Sequence, residues 1–231
     1  MDANLIGRLR NRIWRAFGRL NASGPPLFSK LPEALAAYDA IPGFLSPREA
    51  AALYYYAARA KRAGVIVEVG SWKGKSTYCL AKGLRHGKVF AIDPFDASGD
   101  PSAVEIYQAQ KGEMNLLRQF KERMAELGVE ETIRILHGRS VDFKDEFETV
   151  DLLFIDGDHS ISGCKTDFDL FAHKVVPGGY ILFHDYDPKC EELGPTWVID
   201  NFVAKNSVFK FICLVDSLWI GRRRGSLDRH E

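Results

Sequence analysis

The sequence has 231 residues, enough for one well-packed domain with additions and marginal for two. Its composition, 46% hydrophobic and 27% charged, is typical of a soluble globular protein. The 31 basic and 31 acidic side chains give a formal net charge of zero, so no overall field favours an acidic polymer. We therefore expect no nucleic-acid partner.

The cysteines and the apolar runs indicate a cytoplasmic protein. The four cysteines are far apart and form no Cys-x-x-Cys pair, which predicts reduced thiols rather than a disulfide framework or a zinc site. No apolar run approaches the roughly 18 residues that a membrane span requires. The first 20 residues contain five arginines and no uncharged segment of the kind found in signal peptides.

Residues 1–26 predict a basic amphipathic helix and a linker. Residues 5–20 place apolar side chains on one helical face and arginines elsewhere, and residues 21–26 are rich in turn formers. The helix has three interpretations: packing on a partner subunit, peripheral contact with a membrane surface, or covering its own domain. We favour a homo-oligomer, because a detached apolar face must be buried somewhere.

Residues 27–62 predict a helical cap. A short helix is expected around residues 32–40, and a longer one runs from Ser46 to Arg62. Ser46 has the features of an N-cap, with Pro47 at the first helical position and Glu49 three residues beyond the cap.

Residues 63–224 alternate between short apolar runs and helical patterns. Continuous apolar strands separated by helices predict a parallel sheet covered on both faces. The strands are expected at Val65–Val69, Val89–Ile92, Ile133–Leu136, Leu152–Ile155 and Tyr180–Phe183. The helices are expected at Lys75–Leu84, Ala103–Leu127, Ser162–Lys174 and Thr196–Val203.

The C-terminal part breaks this alternation. Phe209–Val215 and Ser217–Gly221 are too close for a helical crossover, so they predict an antiparallel hairpin. The fold class expected from the whole pattern is α/β: a single doubly wound, Rossmann-like domain. Its mostly parallel, seven-stranded sheet would end in the hairpin, and residues 225–231 would form a tail.

The loop after the first strand carries the clearest pattern, Val65-Ile-Val-Glu-Val-Gly-Ser-Trp-Lys-Gly-Lys-Ser-Thr77. A glycine turn between a strand and a helix is where α/β folds bind ligands. The spacing from Gly70 to Gly74 is one residue too short for a P-loop, and the dinucleotide fingerprint is absent. An ordinary tight turn with a capping serine is the remaining structural alternative.

The second strand ends on Asp93, about 20 residues past the glycines, where an acid meets ribose hydroxyls in such folds. A helix cap is the alternative role for Asp93, but the chain continues as a loop. The loop after the third strand contains Arg139 and Ser140, in the position that contacts adenine in this kind of fold. The first strand, its glycine loop, the second strand and its terminal Asp93 together predict a site for an adenosyl ligand, and the loop after the third strand is assigned by its position alone.

Polar residues follow the fourth and fifth strands. Asp156 and Asp185 stand at the carboxyl ends of neighbouring strands, about 4.8 Å apart in the sheet. Two carboxylates so close repel unless a proton or a cation lies between them, and a hard divalent ion such as Mg²⁺ satisfies this. His159 follows Asp156 by three residues and is expected to reach the same space. The structural alternative is that His159 caps the next helix and the aspartates are solvated.

The first-strand loop resembles the glutamate-x-glycine-x-x-x-glycine loop of methyltransferases that use S-adenosylmethionine (SAM), whose class I sheet ends in an antiparallel hairpin. The resemblance implies that Glu68 lies near the methionine part of SAM and that glycines let the backbone approach it. It implies further that the helix start holds the methionine carboxylate. The cofactor-binding residues expected on this basis are Glu68, Gly70, Ser71, Gly74, Ser76, Thr77, Asp93, Arg139, Ser140 and Asp156.

The segments VEVGSWKGKST, FIDGDHS and VPGGYILFHDYD resemble those of metal-dependent small-molecule and sugar O-methyltransferases, over about residues 45–221. The resemblance to macrolide-sugar enzymes implies that Asp156 and Asp185 are metal ligands and that His159 is the general base. His184 stands where these enzymes have an acid and becomes the third expected ligand. A softer, neutral ligand lowers the negative charge of the site. The aspartate and lysine motifs of catechol-type relatives do not match.

The function expected is methyl transfer from SAM to a hydroxyl of a small molecule, with a sugar or saccharide as the favoured acceptor. Mg²⁺ would lower the pKa of the hydroxyl, and a histidine with a pKa near 6.5 would take its proton. Two alternatives stay open: a hydroxylase-like or other SAM-fold enzyme that uses a metal at the same carboxylates, and a non-catalytic SAM-fold protein. The hydroxylase alternative lacks a facial-triad motif for iron.

Overall fold

The computed structural model describes residues 28–225, except residues 61, 99–103, 112, 114 and 207. The predicted N-terminal helix and linker, residues 1–26, lie outside the described residues, as does nearly all of the predicted tail. No helix within the described ranges has both the length and the apolar character needed to cross a membrane.

Seven strands form one sheet in the order β3-β2-β1-β4-β5-β7-β6. Strands β1 to β5 pair in parallel, and β7 pairs antiparallel with both β5 and β6. This confirms the predicted doubly wound, Rossmann-like fold and its hairpin. The strands are β1 Val65–Val69, β2 Lys88–Asp93, β3 Ile133–His137, β4 Val150–Ile155, β5 Val175–Phe183, β6 Phe209–Val215 and β7 Leu218–Arg223.

Helices cover both faces of the sheet, and each face has its own apolar core. All six residues of the central strand β4 are buried, as a parallel strand between two helical layers requires. The helices are α1 Pro47–Ala57, α2 Lys75–Gly83, α3 Val104–Lys111, α4 Leu116–Glu126, α5 Ile161–Phe171 and α6 Gly194–Val198. A π-helical segment, Ile199–Val203, continues α6.

The single long helix predicted over 103–127 is wrong, because the chain forms two helices there. Asn115 is the N-cap of α4, and its side chain accepts a hydrogen bond from the backbone N–H of Arg118 at 2.9 Å. A capping asparagine satisfies one of the free N–H groups of a first helical turn. The sequence contains signals of this break, since no residue from 110 to 113 is apolar and Gly112 and Asn115 are typical of helix ends, but the single-helix prediction did not use them.

The cap differs from its prediction at two places. Residues 32–40 form two short 3₁₀ turns, Glu33–Leu35 and Tyr38–Ala40, rather than one helix. Helix α1 begins at Pro47 with the predicted capping box but ends at Ala57. The chain then turns toward β1, where the Asp151 carboxylate accepts hydrogen bonds from the backbone N–H groups of residues 62, 63 and 65. These bonds hold the backbone in a non-helical path.

Candidate functional site

A cavity of about 640 Å³ opens at the carboxyl ends of the parallel strands. Its wall brings together the loops after β1, β2, β3, β4 and β5, as expected for a doubly wound sheet. Ten of the predicted site residues line it, namely Gly70, Ser71, Ser76, Asp93, Arg139, Ser140, Asp156, His159, His184 and Asp185. Three others, Glu68, Gly74 and Thr77, lie outside the wall.

Gly70 sets the path of the first loop. Its φ of +91° lies in the left-handed region, and a Cβ atom there would stand 2.1 Å from the carbonyl oxygen of Asp156. Only glycine permits this conformation together with this close approach. The loop after β1 and the end of β4 therefore touch through their backbones, which places Asp156 beside the loop after β1.

Glu68 is fully buried and lies behind the cavity wall. Its Oε2 accepts hydrogen bonds from the hydroxyls of Ser71 at 2.8 Å and Thr77 at 2.5 Å. Burial raises the pKa of Glu68 to about 7, against the opposing effect of hydrogen bonds from Ser76, Thr77 and Ser71. The Thr77 hydroxyl, at the helix start that is expected to hold the methionine carboxylate, is thus hydrogen-bonded to Glu68, and Glu68 braces the loop.

Asp93 joins two loops at the wall. Its Oδ2 accepts a hydrogen bond from the backbone N–H of Trp72 at 2.8 Å, and its Oδ1 accepts one from that of Phe95 at 2.5 Å. Trp72 and Phe95 both have positive φ angles, 47° and 52°. Each carboxylate oxygen has a second lone pair, so Asp93 can fix both loops and still accept a hydrogen bond from a ligand hydroxyl.

Asp167 is a wall residue that the sequence analysis missed. It is 5% exposed, and burial raises the pKa of its carboxyl to about 7, while a hydrogen bond with Ser140 acts in the opposite direction. The predicted adenine-contacting residue Ser140 is thus engaged with Asp167. The predicted helix over 162–174 contains two acids, Asp167 and Asp169, and no motif indicated that Asp167 faces the cavity.

The acid–histidine cluster, formed by Asp156, His159, His184 and Asp185, lies at the ends of β4 and β5. His184 Nδ1 is 3.1 Å from Asp156 Oδ1 and 3.1 Å from Asp185 Oδ2. His159 Nε2 is 3.1 Å from Asp185 Oδ2 and 3.7 Å from Asp156 Oδ1. The structure therefore brings the predicted base and all three predicted metal ligands into one place. The alternative in which His159 caps the next helix is wrong, since Ser160 is the N-cap of α5.

Glu49, which no motif had indicated as a site residue, extends the cluster. Its Oε2 is 3.3 Å from Nε2 of His184, and both residues are buried. Although burial acts in the opposite direction, hydrogen bonds with His184, Ser46 and Ser217 lower the pKa of Glu49 to about 2. The sequence identified Glu49 as a helix-capping residue, but its contact with His184 spans 135 residues of chain.

The protonation of the cluster follows from its carboxylates. Burial favours the neutral imidazole of His159, but the hydrogen bonds and charges of Asp156 and Asp185 prevail and raise its pKa to about 11. The same carboxylates, with Glu49, raise the pKa of His184 well above its usual value against burial. The two histidines in turn lower the pKa of the Asp185 carboxyl despite its burial. In this arrangement the imidazoles carry the positive charge that the carboxylates require.

The cluster also has the chemistry of a cation site. One ligand atom each from Asp156, His184 and Asp185 lie within 4.8 Å of one another. Oxygen donors suit Mg²⁺ and Mn²⁺, and an imidazole donor shifts the preference toward transition metals. Glu49 on the outer nitrogen of His184 matches the hydrogen bond that metal-bound histidines donate to a carboxylate. The donor set therefore fits a divalent ion.

Comparison with known proteins gives one family match and several relatives. The model of a family described as "Methyltransferase domain" matches residues 67–186. A mimivirus protein, the uncharacterized protein R132 of Acanthamoeba polyphaga mimivirus, is 27% identical over 154 residues. That match covers 63% of this chain, which spans 64% of R132.

Two solved structures share the fold. The O-methyltransferase TomG from Streptomyces achromogenes, in complex with SAM, has a TM-score of 0.57 and 17% identity, covering 97% of this chain and 100% of TomG. An O-methyltransferase from Bacillus cereus in complex with SAH has a TM-score of 0.58 and 15% identity, with coverages of 95% and 100%. At these identities the likeness concerns the fold.

Proposed function

Because this chain belongs to the methyltransferase-domain family and has the class I fold, we propose that it transfers the methyl group of SAM to a hydroxyl of a small molecule. A sugar or saccharide is the favoured acceptor, on the resemblance of the segments after β4 and within β5 to those of sugar O-methyltransferases. The SAM and SAH complexes of TomG and the Bacillus cereus enzyme support the choice of cofactor.

One observation carries the proposal: the acid–histidine cluster and the glycine loop after β1, from Gly70 to Gly74, meet at the same cavity. Gly70 and Asp93 form one part of the wall, where the ribose and methionine parts of SAM would lie. His159 and Asp185 line the same cavity, where an acceptor hydroxyl would meet the methyl group. Holding the two reactants in line supplies several kcal/mol of the lowered barrier in such reactions, roughly 7 to 11 in favourable cases.

A divalent ion is part of the proposal, with Asp156, His184 and Asp185 as its protein ligands. Such an ion, when bound, lowers the pKa of a coordinated hydroxyl and fixes its direction. Asp185 is the most open of the three residues, with 39% of its side chain exposed, so the acceptor would approach from its side. The imidazole among the donors favours Mn²⁺ over Mg²⁺.

His159 is the proposed general base. An imidazole accepts a proton only in its neutral form, and Asp156 and Asp185 keep His159 protonated as long as their charges face it. His159 can therefore act as a base only when another positive charge, such as a bound cation, neutralises Asp156 and Asp185. This requirement couples the base to the cation site, since both use the same two carboxylates.

The test is turnover with purified protein, radiolabelled SAM and a panel of free and linked saccharides, phenols and amines. With a hydroxyl acceptor, we expect methylated product and SAH. A chelator should abolish this turnover, and added Mn²⁺ or Mg²⁺ should restore it. Calorimetric titration with SAM, with and without the ion, measures the cofactor separately. Full turnover in protein that elemental analysis shows to be metal-free would refute the proposed role of the divalent ion. Absence of SAM binding would refute the proposal as a whole.

A further inference from the structure

Glu49 lies on α1 in the helical cap, outside the residues that the family model matches, yet it reaches the acid–histidine cluster. We propose that Glu49 is a positioning residue: it holds the outer nitrogen of His184 so that Nδ1 faces Asp156 and Asp185. The expected effect of Glu49 on metal binding rests on the proposed function. The hydrogen bond itself is testable in protein without metal.

Helix capping explains only part of what Glu49 does. Its Oε2 accepts a hydrogen bond from the backbone N–H of Ser46 at 2.8 Å, and the Ser46 hydroxyl accepts one from the Glu49 backbone N–H at 3.2 Å. A capping box is satisfied by these two bonds and forms readily at a helix terminus in contact with water. Glu49 is only 2% exposed, and burying a carboxylate is costly unless further partners compensate.

The further partners fix the carboxylate in place. Its Oε1 accepts hydrogen bonds from the backbone N–H of Ser217 at 2.9 Å and from the Ser217 hydroxyl at 2.8 Å. Ser217 lies in the turn between β6 and β7. Glu49 is thus held by its own helix through one oxygen and by the C-terminal hairpin through the other. The oxygen shared with the helix is the one that faces His184 Nε2 at 3.3 Å.

The direction of the imidazole follows from this anchor. Both oxygens of Glu49 accept hydrogen bonds, Oε2 from the Ser46 backbone N–H and Oε1 from Ser217, so Nε2 of His184 is the donor in its contact with Glu49 and carries hydrogen. With Nε2 committed to Glu49, Nδ1 points to Asp156 and Asp185, 3.1 Å from each. The two ring nitrogens of a histidine are distinct, and the bond made by one sets the role of the other. Without Glu49, Nε2 would lose this acceptor, and the contacts of Nδ1 with Asp156 and Asp185 alone would orient the ring.

The experiment compares Glu49→Ala and Glu49→Gln with two matched controls, Ser46→Ala and Ser217→Ala. Ser217→Ala removes one bond of the Glu49 carboxylate, the one from the Ser217 hydroxyl. Ser46→Ala removes the hydroxyl that accepts from the Glu49 backbone N–H. Both controls leave the contact of the carboxylate with His184 in place. Nitrogen-15 NMR of the metal-free proteins reports whether the His184 Nε2 proton is protected from exchange. Electron paramagnetic resonance of free Mn²⁺ gives the metal affinity, and thermal melting identifies variants that fail to fold.

We expect Glu49→Ala to lose the protected proton and to bind Mn²⁺ about 10- to 100-fold more weakly, the usual cost of removing a carboxylate that supports a metal-bound histidine. Glu49→Gln retains a carbonyl oxygen and should keep the proton and most of the affinity. Ser46→Ala and Ser217→Ala should keep both the protected proton and the wild-type affinity for Mn²⁺. A protected proton in Glu49→Ala, with Mn²⁺ affinity equal to that of Ser46→Ala, would overturn the proposal.

If the wild-type protein binds no Mn²⁺, the metal site of the proposed function is refuted. The positioning role of Glu49 is then tested only by the exchange protection of the His184 Nε2 proton. Loss of the proton in Glu49→Ala and its return in Glu49→Gln would then support the positioning role. Its persistence in Glu49→Ala would refute that role. Should Glu49→Ala fail to fold, Glu49→Gln decides, since loss of protection in this folded variant would contradict the assigned bond.

Discussion

Nδ1 of His184 lies 3.1 Å from Oδ2 of Asp185, although the two residues are adjacent in the chain. Successive side chains of an extended strand point to opposite faces of a sheet, so neighbours do not normally meet. Asp185 lies two residues past the end of β5 and has a φ of +57°, in the left-handed region. This turn brings its carboxylate back toward His184, and both side chains serve the same cluster. Strained backbone of this kind costs roughly 1 to 3 kcal/mol and persists where surrounding structure supports it.

Asp93→Ala should weaken the binding of SAM and of SAH at least tenfold, about 1.4 kcal/mol, through the loss of a ribose contact. The carboxylate also fixes Trp72 and Phe95, so a lower melting temperature should accompany the loss. Calorimetric titration measures the affinity. Asp96→Ala is the matched control, because Asp96 is exposed on the same loop and outside the cavity wall. Equal affinity of wild type and Asp93→Ala would rule out the ribose role.

His159→Ala should lose about 10²- to 10⁴-fold in kcat while its affinities for SAM and metal stay near those of the wild type. The wild-type rate should rise with pH, because only the neutral imidazole accepts a proton. Its midpoint should lie above 6.5 to the extent that Asp156 and Asp185 keep their charge. Steady-state kinetics across pH measures both effects, with the exposed His173→Ala as control. A His159→Ala variant with more than about a tenth of wild-type activity would exclude this role.

Asp167→Asn should flatten the pH dependence of stability. The folded protein holds a proton on Asp167 up to a pH of about 7, whereas the unfolded chain releases it near its ordinary pKa of 3.8. The native state therefore binds more protons between these values, and the free energy of unfolding falls as pH rises through that window. Asparagine does not titrate, so this part of the decline should disappear.

Urea unfolding at pH 5 and pH 8 measures the effect in Asp167→Asn. The exposed Asp169→Asn, two residues along the same helix, is the control and should keep the wild-type slope. Glu68, whose pKa burial also raises to about 7, contributes equally to all three proteins. The same slope in Asp167→Asn and wild type would contradict the raised pKa.

Deleting residues 1–20 should yield a smaller oligomer in light scattering while SAM binding persists, if this predicted helix packs on a partner subunit. The reason is its apolar face, which needs a second surface to bury it. Calorimetry verifies that the cofactor site survives the deletion. An unchanged oligomer together with lost binding to liposomes would favour the membrane interpretation instead.

The sequence predicted best those features that depend on residues close together in the chain, such as a buried strand and the polar loop that follows it. Strands β1 and β4 are mostly apolar because parallel strands are buried on both faces, and the glycine loop after β1 and Asp156 after β4 mark the edge of the sheet where the cavity opens. The break between α3 and α4 was missed although Gly112 and Asn115 indicate it, because the prediction joined the apolar residues on either side into one helix. Glu49 and Asp167 were missed because their roles come from contacts made in the folded chain, across 135 residues for Glu49.

The position of β7 has a consequence for synthesis on the ribosome. This strand is the last of the seven to be made, yet it lies between β5 and β6 in the sheet. The nascent chain therefore cannot complete its sheet until the turn at Ser217 and β7 have left the exit tunnel. Because Ser217 also anchors Glu49, the carboxylate beside His184 gains its full set of bonds only at that stage. The order of translation thus makes the cluster one of the last parts of the molecule to be assembled.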